Sequence, residues 1–267
     1  MWIYPRKLFW RFSPWRPKVN GNGFCIGGAL TNTKVKKKNR FKDFTEGLLA
    51  ALIAALIIRQ FIIQAYTIPT SSMEDTLLIG DFLLVNKFTY GMRTPDWIGI
   101  PYTRVGFDTP WFRFPAIRQP EPYDVVIFRY PLDTNVDYIK RCIAKEGQTV
   151  TINEKQIFVE GHTFPKPPFS KYIDPVTQPR PRGLYSQRLF RDLGSRDNYG
   201  PIKIPANAYW VMGDNRDNSA DSRYWGFVTD DHIVGQALVI YFSWDSSIPW
   251  TKFFKKIRFG RIGQVIR

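Results

Sequence analysis

"FTEGLLAALIAALIIRQFIIQAYTIPTSSMEDTLLIGD" occupies residues 44–81. An apolar run, a proline and a cluster of hydroxyl side chains follow one another there, and their reading decides the fold. Leu48 to Ile58 is uninterruptedly apolar. Alone it is too short for a bilayer, whose hydrocarbon core needs about 20 residues. Extended from Phe44 through Phe61–Ile63 it reaches that length, with Arg59 and Gln60 near the distal end. A cation placed there can snorkel to the interface. The stretch 44–65 is therefore expected to be one transmembrane helix. A buried helix of a soluble body is the competing reading, and the flanking charge argues against it. A cleaved signal peptide fits less well, because its leader would be about forty residues long and no A-x-A site follows. Pro69 ends the helix, since it lacks an N–H and disfavours helical geometry before it.

The charge pattern supports an anchor rather than a nucleic-acid groove. The 267 residues carry a net charge of +15, but residues 1–43 hold +10 of it and residues 251–267 hold +6. The stretch between them is left with −1. A nucleic-acid-binding domain would carry the charge on its folded body. Basic residues beside an apolar helix instead mark its cytoplasmic flank. The chain is thus expected to be single-pass, with its N-terminus cytoplasmic and everything after Tyr66 on the outer face of the membrane. The two cysteines, Cys25 and Cys142, would then lie on opposite sides and could not pair.

Beyond the anchor the sequence reads as strands. "DFLLVNKFTY", "DVVIFRYP", "DYIKRCIAK", "QTVTINEKQIFVEG", "AYWVMGD" and "HIVGQALVIYFSW" are rich in β-branched and aromatic residues and are bounded by turn formers. Two Pro-rich stretches, at about 91–120 and 163–205, interrupt them. The expected fold is mostly β: an antiparallel β-sheet body over 66–250 with an inserted β/loop subdomain. A basic tail (1–43) precedes it and a basic C-terminal segment (251–267) follows. That last segment mixes aromatics with cations, so it fits either a membrane surface or a solvated tail.

Three motifs can carry chemistry. Ser72, in the turn after Pro69, can be a nucleophile only with a base and oxyanion donors. Alone it reads equally as a cap or a solvated serine. His162 and His232 both sit in turn-like or strand-start contexts that solvation explains. Lys140 in "VDYIKRCIA" is the other candidate base. On a strand it shares a face with Tyr138 and Cys142, while Ile139, Arg141 and Ile143 take the other. A lysine can act so only if desolvation leaves its amine neutral. The third motif, "GDNRDNSADSRYWG" from Gly213 to Gly226, is too polar for a plain turn. As a calcium loop it lacks the glycine at position six and the glutamate at position twelve.

Together, "IPTSSMEDTLLIGD", "YDVVIF", "DYIKR" and "GDNRDNSADSRYWG" resemble, in order and spacing, the type I signal peptidase (leader peptidase) family. The resemblance covers roughly Leu48 to Tyr241. It implies a Ser/Lys dyad, with Ser72 as nucleophile and Lys140 as general base. It implies that Thr70 completes an oxyanion hole with the Ser72 amide, that Ser219 orients the lysine amine, and that Asp221 and Arg223 pair in support. It also implies shallow pockets for small side chains, lined by Tyr66, Ile68, Met73, Leu77, Ile127, Tyr138 and Ile139. Four positions depart from the family pattern. Thr70 stands for a usual serine, Asp75 for a proline, "PYDVV" for Arg-Gly-Asp-Val-Val, and "CIAKEGQ" for a Gly-Leu-Pro-Gly-Asp-like turn.

The activity that the resemblance implies is a membrane-bound serine endopeptidase that removes signal peptides after Ala-x-Ala, single-pass in a bacterial cytoplasmic (inner) membrane with its catalytic domain on the periplasmic face. It would need no metal or other cofactor. Its partners would be preprotein signal peptides and membrane lipid, with no nucleic acid, and it would be monomeric. A catalytically silent, membrane-tethered β-domain that binds exported chains would share the anchor and its basic flanks.

Overall fold

The structure, a computed structural model, describes residues 40–91, 93–94, 97–99, 106–108, 110, 112–179 and 189–266. The tail of 1–39, Cys25 with it, and parts of both insertions lie outside them. The chain divides into two units, Met1–Thr45 and Glu46–Arg267. In the first, the described residues are the opening turns of helix α1 (Arg40–Phe61), where the Thr45 hydroxyl donates to the Lys42 carbonyl at 2.9 Å.

The expected transmembrane helix over 44–65 is corrected here. Among the described residues no helix is long and apolar enough to cross a membrane. Lys42, Asp43 and Glu46 fall in the first two turns of α1, and Arg59 and Gln60 fall in its last. The stretch without charge, Gly47–Ile58, rises about 18 Å at about 1.5 Å per residue, against a hydrocarbon core of about 30 Å. Ile63 to Ala65, counted toward the span, instead belong to the first strand. The single-pass inner-membrane topology that rested on this helix falls with it.

The larger unit is antiparallel β. Its strands are β1 (Ile63–Thr67), β2 (Asp81–Asn86), β3 (Trp97–Gly99), β4 (Gly106–Asp108), β5 (Val125–Tyr130), β6 (Asp133–Lys145), β7 (Thr149–Asn153), β8 (Gln156–Val159), β9 (His162–Thr163), β10 (Tyr199–Lys203), β11 (Ala208–Met212), β12 (Val228–Thr229) and β13 (Ile233–Ser243). Seven of them form one sheet in the order β1-β2-β13-β5-β6-β11-β12. A second sheet runs β10-β7-β8-β9, and β3-β4 is a separate hairpin.

At β5 the main sheet is buried on both faces, which explains why that strand reads as a continuous apolar run. Val125 and Ile127 join Ile68, Met73, Leu77, Leu83 and Val85 in one cluster. Val126 and Phe128 join Cys142, Val211 and Trp225 in another. The far end of β6, at Ile143 and Ala144, packs with Val150, Ile152, Ile157 and Trp210 in the core shared with the second sheet.

The C-terminal segment is not a free tail. Ile266 is buried in the cluster of Ile68 and Met73. Arg261 forks onto Asp81, with Nε 3.1 Å from Oδ1 and Nη2 2.6 Å from Oδ2. Lys256 is 4% exposed, donates to the Ile248 carbonyl at 3.0 Å, and lies over the rings of Trp250 and Trp244 at 4.4 and 5.0 Å.

Candidate active site

After Pro69 the chain makes a single 3-10 turn, Ser71–Met73, that buries Ser72 and Met73. Met73 and Leu77 are fully enclosed, so the turn is pinned to the core from one side. From the other side it is pinned by the loop after β11. The Asn215 amide donates to the Ser72 carbonyl at 3.1 Å, and the Asn215 side chain donates to the Ser71 carbonyl at 3.2 Å. Asn218 Nδ2 donates to Ser71 Oγ at 3.2 Å. Gly213 must be glycine for this approach: a Cβ there would sit 2.5 Å from the Ser72 carbonyl oxygen and against the Ser219 side chain.

Lys140 reaches this turn from β6. Its Nζ lies 2.7 Å from Ser72 Oγ and 3.0 Å from the Ile139 carbonyl. Tyr138, two residues back on the same face, has its ring centre 5.4 Å from Nζ. The amine is 4% exposed. Burial lowers its pKa to about 8, against the opposing pull of Asp221 and Asp214. About a tenth of it is then neutral at pH 7, against fewer than one in a thousand for an ordinary lysine. Thr70 Oγ1 stands 3.5 Å from Ser72 Oγ.

Two buried ion pairs hold the loop that carries these contacts. Arg223 forks onto Asp221, with Nε and Nη2 each at 2.8 Å, and Asp221 also accepts the Gly213 amide at 3.2 Å. Burial pushes the Asp221 carboxyl up, but the Arg223 charge and hydrogen bonds hold it below its ordinary range. Arg141 forks onto Asp214 at 2.8 and 2.6 Å, and Thr76 Oγ1 donates to the same carboxylate at 2.6 Å.

Ser219 is buried beside this turn, and its hydroxyl has no partner among the described residues. The amine takes the Ile139 carbonyl as its second neighbour. A cleft of about 340 Å³ opens over the dyad, walled by Pro69–Ser72 on one side and Val136–Lys140 on the other, with Asn218 and Ala220 at its end. Of the expected pocket residues, Tyr138 and Ile139 line this cleft. Ile68, Met73, Leu77 and Ile127 lie in the core cluster against which Ile139 and Tyr66 pack. Tyr66 donates to Asp137, a cleft residue, at 2.8 Å. Neither histidine lines it; His232 Nδ1 pairs with the Thr229 hydroxyl at 2.7 Å.

Cys142, two residues beyond Lys140, is fully enclosed among Phe128, Val211 and Trp225. Burial pushes its thiol far above the usual range.

Arg141, Asp214, Asn215 and Asn218 had no assigned role in the sequence. Arg141 read as one face of a strand, and Asp214, Asn215 and Asn218 entered only within the stretch 213–226, whose calcium-loop reading fails. The signal for the last three was the surplus of Asp and Asn in "GDNRDN", which no turn requires.

A hydroxyl and a desolvated amine in hydrogen-bond contact beside a cleft are the arrangement that a Ser/Lys hydrolase requires. The profile of the signal peptidase family, peptidase S26, matches residues 41–244. Signal peptidase I of Pseudomonas fluorescens is 32% identical over 89% of this chain and 84% of its own length. The Pseudomonas aeruginosa enzyme is 34% identical over 87% and 82%. That of Aquifex aeolicus is 32% identical over 73% and 82%. The chain belongs to the signal peptidase family, peptidase S26. It is a serine endopeptidase that removes signal peptides, and its partners are accordingly the signal peptides of exported preproteins and the membrane.

Proposed function

We propose that Ser72 and Lys140 perform the cleavage, and the 2.7 Å contact between Ser72 Oγ and the buried Nζ carries this reading. Neutral Lys140 takes the Ser72 proton as Oγ attacks the scissile carbonyl. The Ser72 amide and the Thr70 hydroxyl receive the oxyanion. Lys140 then returns the proton to the leaving amine, and water, deprotonated by the same amine, clears the acyl-enzyme. Ser219, buried beside the nucleophile turn, is assigned the orientation of the amine, and the Asp221–Arg223 pair the stiffness of the loop. No step draws on a metal or cofactor.

The cleft supports selection of small side chains such as those of Ala-x-Ala. Ile139 in its wall rests on Ile68, Met73, Leu77 and Ile127, each at most 3% exposed. A wall backed by close-packed core cannot retreat to admit a larger residue.

Purified Ser72→Ala and Lys140→Met proteins, given a preprotein, should each lose at least about 10³-fold in kcat, because members of a catalytic unit fail together. Turnover near wild type in either variant would overturn the assignment. Thr70→Val should cost about 10²–10³-fold in kcat, with Thr70→Ser largely active.

A further inference from the structure

The turn that presents Ser72 ends in two carboxylates. Glu74 and Asp75 follow Met73 directly, and Asp75 stands at φ 77°, in the left-handed region. A proline there would be held near −65°, so the turn of this chain cannot be stiffened in that way. Both carboxylates meet one cation, Lys171, from the insertion at about 163–205. Its Nζ lies 3.2 Å from Glu74 and 3.1 Å from Asp75.

The backbone of Lys171 is tied at the same place. Its amide donates to the Asp214 carbonyl at 2.8 Å, and its carbonyl accepts the Arg216 amide at 3.0 Å, so that Lys171 and Asn215 form a parallel bridge. Glu74 also accepts Asn215 Nδ2 at 3.3 Å. The insertion, the loop of Asp214–Asn218 and the Ser72 turn therefore meet at one residue, Lys171, the loop at its backbone and the turn at its ammonium group. Both carboxylates raise the Lys171 pKa, so it is a cation throughout the working range.

We propose that Lys171 is a positioning residue for the reaction: it clamps Glu74 and Asp75 and so holds the Ser72 turn in register with the loop of Asp214–Asn218. The proposal rests on Ser72 being the nucleophile. The lysine is about a quarter exposed and its partners more so, hence the clamp adds little to global stability. What it contributes is geometry, since a displacement near 1 Å in a reacting group can cost about 10²-fold.

The test is steady-state cleavage of a preprotein by Lys171→Met, Lys171→Arg, the double variant Glu74→Gln/Asp75→Asn, and Ser72→Ala as reference. Lys171→Met and the double variant should each lose about tenfold in kcat with KM within about twofold of wild type, because substrate contacts are untouched. Lys171→Arg should recover most of the loss. Raising NaCl from about 0.05 to 0.5 M should lower wild-type kcat toward that of Lys171→Met and leave Lys171→Met unchanged, because exposed pairs are screened. Wild-type kcat in both Lys171→Met and the double variant would overturn the clamp, as would a loss that appears in KM alone or that arginine fails to rescue. If Lys171→Met does not fold, the double variant decides by the same criteria. Activity in Ser72→Ala would instead overturn the underlying nucleophile assignment, so the two failures are told apart.

Discussion

Two lysines in this protein are equally hidden from water, and they are hidden for opposite ends. Lys140 and Lys256 are each 4% exposed. Lys140 faces a hydroxyl that can give up a proton, and its charge is compensated only from beyond, by Asp221 and Asp214. Lys256 faces two indole rings and a carbonyl, all of which favour a cation and none of which offers a proton. Burial alone therefore does not make a lysine a base. The atoms opposite the amine decide whether desolvation becomes chemistry or merely a tether.

The largest test of this contrast is activity. Lys140→Met should abolish cleavage, whereas Lys256→Met should keep kcat within about twofold, as measured on one preprotein. Comparable losses in both would break the distinction.

Next comes the support beneath Lys140. Asp221→Asn leaves the enclosed Arg223 without its counter-charge, and breaking such a pair costs about 3–5 kcal/mol. Urea denaturation should show that loss; an unchanged midpoint would mean the loop is held by other contacts.

The two lysines should also differ in the sign of their effect on stability. The folded-state pKa of Lys140 lies at about 8, below its ordinary 10.5. Below pH 8 the folded protein carries a dry ammonium, a penalty of roughly 3 kcal/mol at pH 7. Between about 8 and 10.5 the unfolded chain binds more protons, so stability rises with pH across that window. Lys140→Met should accordingly raise the thermal midpoint at pH 7 and flatten this rise, while Lys256→Met should lower it through the loss of about 1–2 kcal/mol of cation–π contact.

Per pH unit the smallest effect is kinetic. Cleavage needs the neutral amine, so kcat/KM should fall about tenfold per pH unit below about 8. A flat profile from pH 6 to 8 would mean the amine is not the base.

Much of this site was legible in the sequence because its signals are local. The β5 run and the alternation around Lys140 follow from strand periodicity, and the "TSSM" turn follows from Pro69. What escaped was long-range or depended on context. Arg141 meets Asp214 across 73 positions, and Arg261 meets Asp81 across 180. Periodicity cannot announce such partners. The C-terminal residues read as a basic tail because the carboxylates that receive them lie on distant elements. The expected transmembrane helix erred through its ends: counting apolar residues to 65 took in Ile63–Ala65, whose backbone groups are engaged with β2.

Cys142 adds a chemical consequence. A sulfur two positions from the Lys140 amine could have been a weakness, open to alkylation or oxidation. Sealed among aromatic and aliphatic neighbours, it stays a protonated thiol. Iodoacetamide should leave Cys142 unmodified in the native protein and label it only once the sheet has come apart, so that labelling at Cys142, read by peptide mapping apart from Cys25, reports unfolding beside Lys140.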